Sequence, residues 1–127
     1  MNIRIDSPLS RQSGFSLLEL LVVVAIVGIL AAAALPRFGA FRAAAYDSRA
    51  QQDLRNLAAA EELHRATNTE YTDEPDDLDG FRASEGVEIE VASADENSFV
   101  ATATHPNGTR AYTWTSTADT PLSVTSP

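Results

Sequence analysis

Cysteine and lysine are absent from the sequence, and histidine occurs only twice. Without cysteine, disulfide bonds and thiolate metal sites are excluded. The two histidines, His64 and His105, stand 41 positions apart, so their spacing does not indicate a compact histidine metal site. We therefore expect no cofactor.

Positive charge is also scarce. Nine arginines face eighteen acidic residues, which gives a formal net charge of −9. This balance argues against a chain that binds nucleic acid through an overall basic surface, and it leaves a local basic patch open. A chain of 127 residues has room for one domain with a small core, which argues against an elaborate buried active site. No Ser-His-Asp spacing, phosphate-binding glycine loop or paired-carboxylate pocket stands out, so we predict that the protein is not an enzyme.

Polar residues are almost missing from the segment 15–35. Eighteen of its 21 residues are apolar, and the exceptions are Ser16, Glu19 and Gly28. As a helix the segment would be about 31 Å long, which matches a bilayer core of about 30 Å. The alternative is a buried helix of a soluble protein, but the mostly polar residues that follow could not surround a helix that is apolar on all sides. We predict insertion into a membrane.

A short polar segment, residues 1–14, precedes the apolar run. It contains Arg4 and Arg11 against a single aspartate, and this positive charge should keep the N-terminus in the cytoplasm. A secretory signal is the alternative, with Ala32–Ala34 resembling a cleavage site. Such signals have an apolar stretch of about 7–15 residues, shorter than this one, and Glu19 within the run also counts against that interpretation.

The residues Gly14-Phe15-Ser16-Leu17-Leu18-Glu19-Leu20 resemble the signature of type IV prepilins. The resemblance implies a leader, residues 1–14, that a prepilin peptidase removes by cutting between Gly14 and Phe15 on the cytoplasmic side. It implies N-methylation of the new terminus, Phe15, and a role in assembly for Glu19, the fifth residue of the mature chain. It also implies a helix break at Gly28 and Pro36.

Physical reasoning gives Glu19 a role beside this resemblance. Within packed apolar helices an unpaired carboxylate would be unfavourable. The N-terminal ammonium of Phe15 on a neighbouring copy could neutralise Glu19 at one axial offset only, which would fix the register of a filament. The alternative is that Glu19 extends to the membrane interface without a partner.

Two residues should weaken the apolar helix. Gly28 lowers helix stability by about 1 kcal/mol relative to alanine, and Pro36 removes one helical N–H, so a kink is expected near it. The segment between them is predicted to straighten or unwind when subunits pack. The alternative is that both are tolerated bends without a role.

Residues 37–66 are rich in strong helix formers. Ala50, Leu54, Leu57 and Ala58 follow helical spacing and form one apolar stripe. We predict that the helix continues through 37–66, and that its apolar stripe is covered by a sheet. Thr67, Asn68 and Thr69 should end it.

Residues 67–127 should form a loop and an antiparallel sheet. The loop, 70–81, is acidic, but its spacing fails the calcium pattern of EF-hands, because Pro75 and Gly86 stand where acids are needed. Tyr71, Leu78 and Phe81 should anchor it to the helix.

Alternation predicts strands at 87–91, 98–104 and 110–116, with these side chains facing inward: Val87, Ile89, Val91, Phe99, Ala101, Ala103, Tyr112 and Trp114. Asn107-Gly108 carries a hairpin signal, and the tail after 116 should be frayed, with an edge contact at Leu122 and Val124.

The predicted fold class is therefore α+β, a type IV pilin fold in which a long N-terminal helix packs on three or four antiparallel strands. The resemblance implies a structural subunit of a bacterial type IV pilus, with functions such as adhesion or twitching motility. It also implies these partners: copies of the chain and related pilins, the prepilin peptidase and methyltransferase, an inner-membrane assembly platform, and the membrane before assembly. The precursor would lie in the inner membrane and the assembled subunit in an extracellular pilus.

Two alternatives stay open. One is a pseudopilin of a type II secretion system, which would resemble a pilin at the N-terminus. The other is a membrane-anchored domain that does not polymerise, for which an uncleaved leader would be the sign.

Overall fold

The structure, a computed structural model, describes residues 14–126. The predicted leader therefore lies outside the described residues except for Gly14. Helix α1 spans Leu17–Asn68, a 3-10 turn follows at Pro75–Asp77, and four strands complete the fold: β1 Glu88–Ala94, β2 Phe99–Thr104, β3 Ala111–Thr115 and β4 Leu122–Thr125. The chain separates into two compact units, of which the first ends at Pro36 and the second, called the head below, begins at Arg37.

The four strands form one antiparallel sheet in the order β1-β2-β3-β4, which confirms the α+β class. The expectation of a frayed tail was wrong for β4. Tyr112 lies opposite Val124, and Trp114 lies opposite Leu122. The predicted edge contact is thus a full strand, which forms by hydrogen bonding to the backbone of β3. Its own apolar pattern is too short to indicate a strand from the sequence.

The core of the head combines the helix stripe with the inner face of the sheet. The predicted stripe is confirmed, because Ala50, Leu54 and Leu57 are fully buried and Ala58 nearly so. The alternating residues of β2, Phe99, Ala101 and Ala103, are fully buried in the same cluster. Burial of each large side chain stabilises the fold by about 1.5–3 kcal/mol, so Leu54, Leu57 and Phe99 are the main apolar contributors.

Strand β1 contains a bulge. Val91 lies opposite Ala101, but Ser93 lies opposite Val100, so Ala92 is an extra residue. Ile89 and Val91 pack against the core as the alternation predicts, and the bulge shifts the alternation so that Ala94 packs there as well. The strand is thereby three residues longer than the predicted 87–91 at its C-terminal end.

The helix ends where the sequence predicts. Thr69 adopts a left-handed conformation with φ 69°, and its N–H donates to the carbonyl of Arg65 at 2.8 Å, which is a common way for a helix to end. The acidic loop then returns to the core through Tyr71 and Leu78, which are buried, and Phe81, which is half-buried. The three predicted anchors are confirmed.

Candidate functional site

The first turn of α1 carries four residues of the predicted signature. The Ser16 hydroxyl accepts a hydrogen bond from the Glu19 N–H at 3.1 Å, and the Ser16 carbonyl accepts one from the Leu20 N–H at 3.1 Å. Ser16 is therefore the N-cap of the helix. Gly14 and Phe15 lie just before it, outside the helix.

The apolar part of α1 is exposed on all sides. The large apolar side chains between Leu17 and Leu35 are 47–88% exposed, Phe15 is 82% exposed, and Glu19 is also exposed. An 18-residue window of the helix has a mean hydropathy of 2.8, and none of it is buried. Contiguous apolar surface of this extent is unfavourable in water, so this segment requires lipid or other protein helices around it.

Gly28 and Pro36 both lie inside α1, and the helix continues through them. An added Cβ at Gly28 would meet no atom within 4 Å among residues 14–126, so packing within this described range does not require the glycine. Pro36 has no N–H to donate to the preceding turn. The expected break or unwinding at these residues on assembly stays a prediction.

Asp47 connects the helix to the loop between β2 and β3. Its carboxylate accepts hydrogen bonds from the Thr109 N–H at 2.8 Å, the Thr109 hydroxyl at 2.9 Å and the Arg110 N–H at 3.1 Å. Burial would raise the pKa of this carboxyl, but the hydrogen bonds from Thr109 and Arg110 outweigh it and hold the pKa below its ordinary value of 3.8.

Two further buried carboxylates hold loops in the same way. Asp53 accepts hydrogen bonds from the Ser84 N–H at 2.6 Å and hydroxyl at 3.0 Å. Glu61 Oε2 accepts a hydrogen bond from the Thr72 N–H at 3.1 Å. Glu61 Oε1 is buried and has no hydrogen-bond partner in the part of the chain that the structure describes. Burial raises the pKa of Glu61 despite the opposing Thr72 bond. We call Asp47, Asp53 and Glu61 the loop-holding carboxylates.

His105 is a packed residue of the turn that the sequence predicted. Its ring stacks on Tyr46 with centroids 4.1 Å apart, and its Nδ1 accepts the Asn107 N–H at 3.0 Å. The Asn-Gly signal marks a real hairpin, but its loop has six residues, 105–110. A β-turn forms within it, where the Gly108 N–H donates to the His105 carbonyl at 2.9 Å.

The centre of the acidic loop, Pro75–Asp77, forms a 3-10 turn. Across residues 14–126, no group of three or more histidine, aspartate or glutamate side chains is arranged to hold a metal ion.

The structure thus brings Gly14, Phe15 and Glu19 together at the start of α1, and places Gly28 and Pro36 farther along the same helix. Sequence reasoning missed the capping role of Ser16, although the spacing from Ser16 to Glu19 fits the capping-box pattern. It also missed the loop-holding carboxylates, because their partners are 11–63 positions away.

Comparison with known proteins matches residues 9–35 to a family described as the prokaryotic N-terminal methylation motif. The chain is 34% identical over 102 residues to the type IV wide pilus major component PilA4 of Thermus thermophilus, an alignment that covers 78% of each chain.

Two other relatives align over shorter ranges. The chain is 40% identical over 76 residues to the type IV major pilin protein PilA of Myxococcus xanthus, which covers 60% of this chain and 34% of that protein. It is 36% identical over 71 residues to the type II secretion system core protein G of Aeromonas hydrophila, which covers 56% of this chain and 50% of that protein. The chain therefore spans only a third to a half of the length of these two relatives.

Proposed function

This chain belongs to the type IV pilin family, and we propose that it is a structural subunit of a bacterial type IV pilus. The observation that carries the proposal is the arrangement of residues at the start of α1 and along its apolar part. A capped helix start directly follows Gly14 and Phe15, and the helix surface after it is apolar and exposed, with one carboxylate, Glu19. Such a surface suits a helix that moves from a membrane into a bundle of identical helices.

In this proposal the chain is made as a precursor in the inner membrane, with its N-terminus in the cytoplasm. A prepilin peptidase cuts between Gly14 and Phe15, and the new amine of Phe15 is methylated. Both residues lie outside the helix and are exposed, which supports access by an enzyme. Cleavage also removes Arg4 and Arg11, the charges that favour the cytoplasmic position of the N-terminus.

Glu19 then directs assembly. In a filament the apolar helices pack without lipid, and an unpaired carboxylate there would be unfavourable. The ammonium of Phe15 on an adjacent copy neutralises it at one axial offset. Glu19 is exposed at the first turn of the helix, which supports a contact with another chain. The inner-membrane assembly platform is the partner that adds each copy.

The segment between Gly28 and Pro36 adapts to packing in this proposal. Gly28 lowers helix stability, and Pro36 lacks one backbone hydrogen bond. Among residues 14–126, an added Cβ at Gly28 would meet no atom within 4 Å, so contacts within the described chain do not require a glycine at this position. Local unwinding there would let neighbouring helices pack closely.

A second candidate function is a pseudopilin of a type II secretion system, since the chain is similar to a core protein G of such a system. The two functions share processing and helix packing, and they differ in where the filament ends. A pilus extends from the cell surface, whereas a secretion pseudopilus works in the periplasm.

Deletion of the gene from its host, followed by electron microscopy of the surface and assay of secreted enzymes, separates the two. Loss of surface filaments with normal secretion, restored by the intact gene, is the expected result. Loss of secretion with unchanged surface filaments would favour the pseudopilin and overturn the pilus assignment.

A further inference from the structure

We propose that Ser16 is a positioning residue for cleavage, because it caps α1 and thereby keeps the Gly14–Phe15 bond outside the helix. The inference rests on the proposed function, since it presupposes a peptidase that cuts this bond. This role of Ser16 in cleavage is separate from the proposed role of the Glu19 charge in assembly.

The hydrogen bonds at the helix start carry the inference. The first N–H groups of a helix have no partner within the helix. The Ser16 hydroxyl accepts one of them, the Glu19 N–H, at 3.1 Å. Its carbonyl accepts the Leu20 N–H at 3.1 Å, so the regular helical bonds begin at this residue. Phe15, one position earlier, is already non-helical and 82% exposed.

The helix start matters for the chemistry of cleavage. A peptidase must approach a carbonyl carbon, and it binds the backbone on either side of the bond. In a helix the N–H and C=O groups are engaged with neighbouring turns, which also cover the carbonyl. The leucine-rich residues after Ser16 favour helix strongly, and without a cap the helix start would be poorly defined. Ser16 places this start two residues after Gly14.

The spacing of the signature gains a physical meaning from this arrangement. Serine at the N-cap with glutamate three residues later is the capping-box pattern, and Phe15 and Leu20 occupy the positions of the hydrophobic pair that often accompanies it. The residues that identify the cleavage site therefore also encode the start of a helix.

A series of substitutions at Ser16 tests the inference. N-cap preference ranks asparagine with serine, places threonine and glycine close behind, and ranks alanine far below. In vesicles that contain the full-length precursor and a purified prepilin peptidase, we expect Ser16→Ala to slow cleavage up to about fivefold, the factor that corresponds to about 1 kcal/mol of cap stability.

Ser16→Asn, Ser16→Thr and Ser16→Gly should stay within about twofold of the unsubstituted precursor. Ser48→Ala is the matched control. The Ser48 hydroxyl also forms a hydrogen bond with the backbone of α1, but it donates to the Ala44 carbonyl and lies within the helix rather than at its start. It should not change the rate.

Two other patterns would overturn the inference. If the peptidase binds the hydroxyl directly, Ser16→Thr would be cut normally while the asparagine, glycine and alanine variants would all be slow. If the side chain has no part in cleavage, all variants would be cut at one rate. An unsubstituted precursor that is not cut at all would instead overturn the proposed function, and this inference with it.

Amide hydrogen exchange provides the second measurement. Ser16→Ala should speed exchange of the Glu19 amide by a similar factor, up to about fivefold, whereas Ser16→Asn should leave it protected. Slow cleavage of the alanine variant with unchanged exchange at Glu19 would show that the cap is not the cause and would overturn the inference.

Discussion

Asp47 and Thr109 are 62 positions apart in the sequence, yet the Asp47 carboxylate accepts hydrogen bonds from both the backbone N–H and the hydroxyl of Thr109, at 2.8 and 2.9 Å. The pair connects the helix of the head to the loop between β2 and β3. Because the chain has no cysteine, contacts of this kind, together with the pairing of β3 and β4, connect distant segments of the head without a disulfide.

Substitution of Asp47 by alanine should destabilise the head by about 2–3 kcal/mol, because hydrogen bonds to a charged acceptor are worth more than neutral ones and the loop N–H groups would lose their partner. The measurement is urea unfolding of the full chain in detergent, followed by circular dichroism. Ser48→Ala, at the adjacent and exposed position, is the control and should change the free energy of unfolding by no more than about 0.5 kcal/mol. Equal effects of the two substitutions would contradict the role of Asp47.

Acid should weaken the same contact. The pKa of Asp47 lies below its ordinary value because the hydrogen bonds from Thr109 and Arg110 outweigh its burial. The contribution of Asp47 is thus complete at neutral pH, and is lost as the pH falls from about 4 through the folded-state pKa. The stability difference between wild type and Asp47→Asn should therefore shrink in that range. A difference that is independent of pH would contradict this account.

Glu61 should show the opposite dependence. Burial raises its pKa above the ordinary 4.5, so the folded head binds the proton more tightly than the unfolded chain. Its contribution is fully present below about 4.5 and is lost as the pH rises through the folded-state pKa. Glu61→Gln should match the wild type near pH 4 and be more stable at pH 7. A glutamine variant that is less stable at pH 7 would contradict the unfavourable burial of this charge.

Gly86 should tolerate alanine worse than Gly80 does. Both adopt left-handed conformations, with φ 80° and 78°, so alanine is strained at each by about 1–2 kcal/mol. At Gly86 the new Cβ would also lie 2.6 Å from His105 Nε2, whereas at Gly80 it meets nothing within 4 Å. Urea unfolding of both variants should show the larger loss for Gly86→Ala.

A second substitution, His105→Ala, should remove the difference between the two glycine variants, because it removes the ring that the new Cβ would meet. A difference that persists without the imidazole would show that contact with His105 is not its cause.

The core of the head was predictable because its residues are near one another in a regular pattern. Ala50, Leu54 and Leu57 follow the helix period, and Phe99 and Ala101 follow the strand period. Strand β4 could not be predicted from its own residues, since Leu122 and Val124 form too short a pattern and the strand exists only through pairing with β3.

The burial and hydrogen bonds of the loop-holding carboxylates could not be predicted from the sequence for a similar reason. A carboxylate on a helix usually lies on the solvent face, and only the folded chain brings Ser84 to Asp53 and Thr72 to Glu61. At the proposed processing site the motif indicated Phe15 and Glu19 directly. The proposed function of Glu19 depends on another copy of the chain, which no pattern within one sequence describes.

The Glu19→Gln substitution removes the charge of the side chain but keeps a residue that the capping-box pattern accepts, so it tests the charge alone. Glutamine retains the length of the side chain and is accepted in a capping box, so cleavage should proceed normally. The charge that is proposed to pair with the Phe15 ammonium of another copy would be lost, and breaking such a buried pair costs about 3–5 kcal/mol per contact. Electron microscopy should show few or no filaments from this variant, as from Glu19→Ala. Filaments at the wild-type level would contradict the pairing.

The most direct test of the proposed function is the intact mass of this chain in filaments sheared from the surface of its host. The account predicts a subunit that begins at Phe15 and carries one additional methyl group on its terminal amine. A subunit that retains Met1, or sheared filaments that lack this chain altogether, would contradict it.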